Sequence, residues 1–340
     1  MMVDDDRDSV SIVWDCGTAQ VQRLGGMLGP VWFTLPDGRK IQPFAIAPWA
    51  DDETPEHAAL PGIMRRLRGE WPCVPFGAPS APGGLPESWR GAPVNSVDPE
   101  FHGHSSHHVW DVVEQGDDFV VLSIAYPDAH PIRRLTRKIS GRPGAATIDC
   151  ELTIEARKDV TTTIALHPVF RLADEAGQSE IVADFKFGRV LPFDLEPGVS
   201  RLTPDAEFTD LNHVPAKTGF LSLQRLPFEF DTEELVQLCH AGSPVRLIDH
   251  CEDYEISLQH DRYLFPSVLL WISNRGRTQY PWNGRFTALG VEPLHGAFDL
   301  GPDIGAWPEN PLAKSGVSTA IKLTAGEILN TSYSISVSGL

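Results

Sequence analysis

A histidine and a glutamate, each beside an apolar run, are the residues of this chain best suited to proton transfer. His167 follows the apolar residues 163–166, and Glu292 follows residues 289–291. A carboxylate among apolar neighbours is costly unless it is paired or used, and an imidazole titrates near neutral pH. If the fold brings them together, they form an acid/base pair that can move protons at two oxygens of one small molecule.

Each of these two residues also has a purely structural interpretation. Alone, His167 is compatible with a hydrogen-bonded histidine of the core, and Glu292 with an edge-strand glutamate that faces water. Both residues precede a proline, which favours an extended backbone. The acid/base hypothesis therefore depends on the two side chains meeting in space.

A cluster of four histidines suggests a second kind of site. The cluster consists of His102, His104, His107 and His108. Histidines two residues apart on a strand face the same side, as in cupin-type metal sites. However, Glu114, the carboxylate that would complete such a site, lies well beyond the cluster. Three interpretations stay open: a metal site, a loop of solvated histidines before a strand near Val109, and a ligand pocket that uses His102.

Three arginines precede an aromatic, proline-rich stretch. They are Arg65, Arg66 and Arg68, and the stretch is 71–77. Arginine binds oxygen-rich ligands such as carboxylates, phosphates and vicinal hydroxyls. The alternative is an exposed basic helix end backed by a hydrophobic turn.

Composition narrows the class of protein. The 340 residues include 46 acidic and 28 basic ones, a net charge of −18, which disfavours nucleic acid and anionic membranes as partners. The five cysteines are scattered without a C-x-x-C motif, so zinc ribbons and disulfide frameworks are not expected. The acidic residues 1–8 do not resemble a signal peptide, and no apolar run is as long as a membrane span. We expect a cytoplasmic protein, monomeric or homodimeric.

Strand-like runs between turn signals predict an all-β fold. The runs lie at residues 9–14, 31–35, 119–126, 132–139, 146–156, 161–166, 321–323 and 333–337. Many strands at short spacing favour a large antiparallel β-sandwich with few short helices. The best helix candidate is 55–67, with Thr54 as N-cap and Pro61 as an interruption. Residues 78–99 are predicted to form a long loop, and the whole chain, 1–340, is interpreted as one domain.

Taken in order, four short segments resemble the aldose 1-epimerase (galactose mutarotase) superfamily, nearest the subgroup that includes hexose-6-phosphate mutarotases. Residues 68–77 resemble the Arg-Gly-Gly-Ile-Pro…Pro-x-Phe-Gly stretch, and residues 102–103 with Trp110 resemble His-Gly-Phe…Trp. Residues 167–170, His-Pro-Val-Phe, resemble the His-x-Tyr-Phe segment that carries the catalytic acid. Residues 291–293, Val-Glu-Pro, resemble the segment that carries the catalytic base.

The resemblance implies a β-sandwich with an open sugar cleft and a cofactor-free reaction on a hexose or hexose phosphate. Glu292 would take the proton of the anomeric O1 hydroxyl while His167 protonates the ring oxygen, the two meeting across a pocket as wide as a pyranose. His102 would contact a sugar hydroxyl or the ring oxygen, and Arg68 would anchor a hydroxyl or phosphate. Asp231 matches a substrate-binding aspartate of the family.

The chain departs from the family pattern at several positions. Val169 replaces the tyrosine of the catalytic-acid segment, Arg171 stands where asparagine is frequent, and Glu70 replaces a glycine. An arginine of many relatives is missing after His104. Arg171 and Arg65 are the residues that could compensate, and we place Arg171 in the substrate site. Members of a superfamily can keep the cleft and lose the reaction. A carbohydrate-binding or sensing protein on the same fold is therefore the alternative.

Overall fold

Strands dominate the computed structural model, which describes residues 9–340. The strands are β1 (Ser9–Trp14), β2 (Gly17–Gln22), β3 (Leu28–Thr34), β4 (Lys40–Ile41), β5 (Pro72–Cys73), β6 (Asp111–Gln115), β7 (Phe119–Ala125), β8 (Ile132–Gly141), β9 (Thr147–Ala156), β10 (Val160–Thr162), β11 (Ile164–Leu166), β12 (Val169–Arg171), β13 (Ser179–Val182), β14 (Phe187–Val190), β15 (Glu207–Phe208), β16 (Val214–Pro215), β17 (Phe220–Leu221), β18 (Arg225–Leu226), β19 (Thr232–Cys239), β20 (Val245–Asp249), β21 (Tyr254–Gln259), β22 (Ser267–Asn274), β23 (Thr287–His295), β24 (Ile321–Leu323) and β25 (Ile328–Gly339). The segment 1–8, where we expect no signal peptide, lies outside the described residues.

Helices are few and short. The α-helices are α1 (Pro55–Ala58), α2 (Gly62–Arg65), α3 (Gly301–Ala306) and α4 (Pro311–Lys314), and two 3-10 turns cover Glu87–Trp89 and His104–Ser106. Within residues 9–340, no helix has the length and apolar character needed to cross a membrane.

Two large antiparallel sheets form the body of the fold. A nine-stranded sheet runs in the order β18-β13-β20-β21-β25-β9-β8-β7-β6, and an eight-stranded sheet runs β15-β14-β19-β22-β23-β11-β5, with β12 also paired to β23. The N-terminal strands form a four-stranded sheet, β1-β2-β3-β4. Side chains of both large sheets, such as Leu135 and Leu270, share one extended apolar core. The predicted antiparallel β-sandwich is confirmed.

Three central strands of the eight-stranded sheet have both faces buried. Every residue of β19 and β22 is buried, as are all but the first of β23. Alternate side chains of a strand point to opposite faces. One set therefore joins the core between the sheets, and the other meets a second cluster, rich in tryptophan, that includes Trp49, Trp71, Trp271 and Trp282. This second face carries the cavity described below.

A buried ion pair forms at Glu70, the position at which the family that the sequence resembles has a glycine. Glu70 accepts hydrogen bonds from the Arg137 guanidinium at 2.5 Å and from the Tyr333 hydroxyl at 2.6 Å. Glu70 and Arg137 are fully buried. Charged groups are tolerated in such a place only when paired and hydrogen-bonded. The three groups thereby connect the segment before β5 to the nine-stranded sheet.

The predicted helix at 55–67 is interrupted, as the internal proline suggested. Thr54 caps α1 by accepting the His57 N–H at 3.1 Å, which confirms the predicted N-cap. Pro61 precedes α2 with an extended backbone, since proline lacks the N–H that a continuous helix needs. The predicted strand at 161–166 is likewise divided, into β10 and β11 at Thr163.

Candidate active site

A cavity of about 660 Å³ opens on the tryptophan-rich face of the eight-stranded sheet. Its volume lies within the range of small-molecule sites, about 300–1,000 Å³. Among its lining side chains are His102, His167 and Glu292, three of the residues singled out by the sequence. Trp71 and Trp271 contribute to its apolar wall.

Strand alternation directs Glu292 into this cavity. In β23, Leu289 and Val291 belong to the core between the sheets, whereas Leu294 belongs to the tryptophan-rich cluster. Glu292 is two residues from Leu294, so its side chain lies on the same face of the strand and points to the cavity. The neighbour on that face is Gly290, and a Cβ there would lie 2.5 Å from Glu292 Oε1. The missing side chain at Gly290 is what leaves room for the carboxylate.

His167 is placed opposite Glu292 by the pairing of its flanking strands. Ile164 of β11 pairs with His295, and Val169 of β12 pairs with Gly290. The same antiparallel register on both sides puts residue 167 level with residue 292. His167 Nε2 lies 3.5 Å from Glu292 Oε1. The two groups thus meet at the cavity wall, closer together than the expected width of a pyranose.

The neighbours of His167 hold its ring in position. Its backbone N–H donates to the Trp71 carbonyl oxygen at 2.9 Å, and its ring stacks on the Trp71 indole with centroids 4.2 Å apart and an interplanar angle of 15°. The stacking fixes the plane in which the imidazole can exchange a proton.

Burial drives both members of the pair toward their neutral forms. Desolvation lowers the pKa of His167 to about 3 and, reinforced by repulsion from Asp299, raises the pKa of Glu292 well above its ordinary value. The side chains of both are almost fully buried, so loss of hydration dominates. Near neutral pH the imidazole is therefore in its neutral form, and the carboxyl group tends to keep its proton.

His102 is a third polar group of the cavity, and its ring is held in a fixed orientation. The ring Nδ1 of His102 accepts the Gly77 N–H at 3.1 Å, and the backbone N–H of His102 donates to the Gly77 carbonyl oxygen at 2.9 Å. Burial lowers the pKa of His102 well below the usual value, with a smaller contribution from His167. A neutral ring that accepts at Nδ1 carries its proton on Nε2. His102 is thus prepared to donate a hydrogen bond to an oxygen of a ligand.

Two further polar residues of the cavity were not predicted. Asp299 is a lining carboxyl group whose pKa is raised to about 6 by burial. Arg277 lies over the rings of Trp282, at 4.7 Å, and Trp271, at 5.5 Å. The sequence carried no direct signal for these two residues. In the structure, Trp271 marks this face of the sheet, because it pairs with Gly290, two residues from Glu292.

Three residues predicted to bind substrate lie elsewhere. Arg68 is buried and its Nη2 donates to Asp51 Oδ1 at 2.9 Å. Arg171 pairs with Glu252, and the exposed Asp231 pairs with Arg275 at 3.0 Å. None of Arg68, Arg171 and Asp231 is among the residues that line the cavity. Their charges are satisfied by acidic or basic partners of the chain itself.

The histidine cluster divides between two places. His102 lies in the cavity beside His167, whereas His108 and Glu100 line the rim of the same cavity and lie together with His104. Their potential ligand atoms are within 4.8 Å of one another. Glu114, the carboxylate considered from the sequence, lies on the exposed strand β6.

Comparison with known proteins supports the fold through structure and not through sequence. No family model and no curated protein matches the sequence. A protein from Escherichia coli K12 with the provisional name aldose 1-epimerase is 16% identical, with a TM-score of 0.66 over 98% of this chain and 99% of that chain. The GalM/aldose epimerase homologue from C. elegans is 13% identical, with a TM-score of 0.62 over 98% and 99%.

A galactose mutarotase-like protein from Lactobacillus casei ATCC 334 gives the same result. It is 14% identical, with a TM-score of 0.57 over 97% of this chain and 100% of that chain. The architecture that the sequence resemblance implied, a galactose mutarotase-like sandwich, is therefore present over nearly the full length of the chain. At these identities the likeness concerns the fold alone.

Proposed function

We propose that this chain, which has the galactose mutarotase-like fold, is an aldose 1-epimerase that interconverts the α and β anomers of a hexose. The observation that carries the proposal is the His167–Glu292 pair, 3.5 Å apart on the wall of a cavity of about 660 Å³. A neutral imidazole and a buried carboxyl group are the acid/base partners that anomerisation needs.

The short separation suits two oxygens bonded to the same carbon. The anomeric hydroxyl O1 and the ring oxygen are both attached to C1, so the catalytic groups need not span the sugar ring. One group removes the O1 proton as the C1 carbonyl forms, and the other protonates the ring oxygen as its bond to C1 breaks. Rotation about C1–C2 and reclosure on the other face return both protons and give the other anomer.

The pKa directions favour His167 as the base of ring opening and Glu292 as the acid. Burial lowers the pKa of His167 and raises that of Glu292, so the imidazole can accept a proton and the carboxyl group can give one. This reverses the assignment implied by the family resemblance for opening. The same two groups exchange roles on closure. The transient imidazolium and carboxylate stabilise each other because they are adjacent.

The acidic groups around the pair favour an uncharged sugar over a sugar phosphate, although Arg65 is a second cation of the cavity lining. Arg277 is the cation that stacks on the cavity tryptophans, and it already lies within 4.0 Å of Glu196 and 3.8 Å of Glu233. Asp299 adds another acidic group to the wall. Flat indole faces pack against the apolar side of a pyranose, while His102 and Asp299 can hydrogen-bond hydroxyl groups.

The test is anomer exchange measured with and without the proposed acid. NMR exchange between the anomers of glucose, galactose and their 6-phosphates gives the turnover of each sugar. Glu292→Gln preserves shape but removes the transferable proton, so we expect turnover to fall by about 10²–10⁴-fold, the usual contribution of one acid/base group. The exposed Glu229 offers a matched control, since Glu229→Gln should leave turnover unchanged.

Two outcomes would contradict the proposal in different ways. Undiminished turnover in folded Glu292→Gln would remove Glu292 from the mechanism. Sugar binding to the wild-type protein with no acceleration of anomer exchange would instead favour the carbohydrate-binding alternative on the same fold.

A further inference from the structure

We propose that Glu100, His104 and His108 bind a divalent transition-metal ion, for which Zn²⁺ is the best match, at the rim of the cavity. The ligand atoms of the three side chains lie within 4.8 Å of one another. Two imidazoles and one carboxylate form a donor set that zinc uses in sites with an open coordination position. This inference does not depend on the proposed epimerase activity.

The ring nitrogens of both histidines converge on one carboxylate. His108 Nε2 lies 2.9 Å from Glu100 Oε2, and His104 Nδ1 lies 3.5 Å from the same oxygen. Two ligands of a tetrahedral zinc ion are about 3.3 Å apart, given metal–ligand bonds of 2.0–2.2 Å. The two distances to Glu100 Oε2 differ from this value by about 0.4 and 0.2 Å, and the distance between the two imidazole nitrogens is at most 4.8 Å. Binding of the ion therefore needs the two imidazoles to adjust their rotamers around the carboxylate.

A buried carboxylate holds the loop that presents these ligands. Asp98 accepts the backbone N–H of Glu100 at 3.0 Å and that of His104 at 2.9 Å. Its Oδ2 also lies 3.5 Å from His130 Nε2. The backbone of His108 is fixed separately, because its carbonyl oxygen accepts the Gly25 N–H at 3.0 Å. The three ligands are thus carried by anchored backbone.

The position of the cluster leaves access for the ion and for a fourth ligand. Glu100 and His108 both line the cavity, and the His108 side chain is 48% exposed. A bound ion would neutralise the Glu100 carboxylate and place its open position toward solvent or the cavity, where water or a ligand oxygen can complete the coordination.

Zinc affinity of the purified, metal-free full chain tests the site. Competition with a chromogenic chelator gives the Zn²⁺ dissociation constant and stoichiometry, and Co²⁺ substitution gives the coordination geometry from visible absorption. We expect one ion per chain with a tetrahedral Co²⁺ spectrum. His108→Ala, His104→Ala and Glu100→Gln should each weaken binding at least about 10-fold, since even outer-shell partners contribute that much.

His107 provides the matched control. It belongs to the same loop and lines the cavity, but its Nε2 is directed to the Phe101 carbonyl oxygen at 2.7 Å. His107→Ala should keep wild-type zinc affinity. Absence of stoichiometric binding, or equal affinity in wild type and His108→Ala, would overturn the site. Because His108 is on the surface, its replacement should keep the fold, which thermal unfolding checks.

Discussion

Replacement of Gly290 by alanine should disable the site while leaving the fold in place. The added Cβ would lie 2.5 Å from Glu292 Oε1, whereas ordinary contacts begin at 3.4 Å. The carboxylate must therefore retreat by about 0.9 Å, the difference between these two distances. The closest clashing atom is the end of a flexible side chain, but Trp271 Cβ would also lie 3.1 Å from the added Cβ and must shift slightly. We therefore expect a modest loss of stability and a folded protein.

A displacement of this size is large for acid/base catalysis. A misplacement of 1 Å can reduce the rate about 100-fold, and we expect a reduction of this order in kcat. The change in KM should be smaller, because the contact with Trp271, at 3.1 Å, is less severe than the contact with Glu292, at 2.5 Å. Gly290 is a positioning residue, so the pH profile of the residual activity should also change as the environment of Glu292 changes.

NMR exchange between sugar anomers, combined with thermal unfolding, separates the effect on rate from the effect on folding. Gly83→Ala is the matched control, since a Cβ at Gly83 has no neighbour within 4 Å. Wild-type kcat in a folded Gly290→Ala protein would refute the argument that this glycine makes room for the carboxylate.

Two further predictions concern buried charges. Glu70→Gln leaves the Arg137 guanidinium buried without a carboxylate and should lower the free energy of unfolding by about 3–5 kcal/mol in urea titrations, whereas replacing both residues by apolar ones should recover much of the loss; unchanged stability in Glu70→Gln would contradict this. Because burial raises the pKa of Asp299 from 3.8 to about 6, its contribution to stability is complete below pH 3.8 and is lost as the pH rises through about 6. Asp299→Asn should therefore flatten the stability profile between these values in pH-dependent unfolding experiments, and an unchanged profile would count against the shift.

The sequence predicted several strands whose side chains alternate between water and the core, although β2 and β21, which also alternate, were not recognised. The pattern at 9–14 coincides with β1 (Ser9–Trp14), and the run at 132–139 lies within β8 (Ile132–Gly141). The strands around the cavity gave no such pattern because both of their faces are buried. An apolar run of this kind is compatible with a strand or with a buried helix.

The sequence predicted some residues of the candidate site and not others, and the difference has a physical reason. His167 and Glu292 were recognisable because polar groups within apolar runs need a partner or a use. In the sequence, Arg68 cannot be distinguished from an arginine that binds a ligand. In the structure, its charge is paired with Asp51. Such pairings join residues distant in the chain and follow from tertiary structure, which also explains why Arg277 and Asp299 were missed.

The central strand β23 also restricts how this protein can change in length. A single inserted or deleted residue before Glu292 would exchange the two sides of the strand, sending the carboxyl group into the sandwich interior and a valine or leucine into the cavity. Exposed turns have no comparable constraint, as at Gly83 and Gly84, where an added Cβ meets nothing within 4 Å. Variation among descendants of this gene should therefore accumulate as insertions in such exposed turns, while the spacing from Thr287 to His295 stays constant.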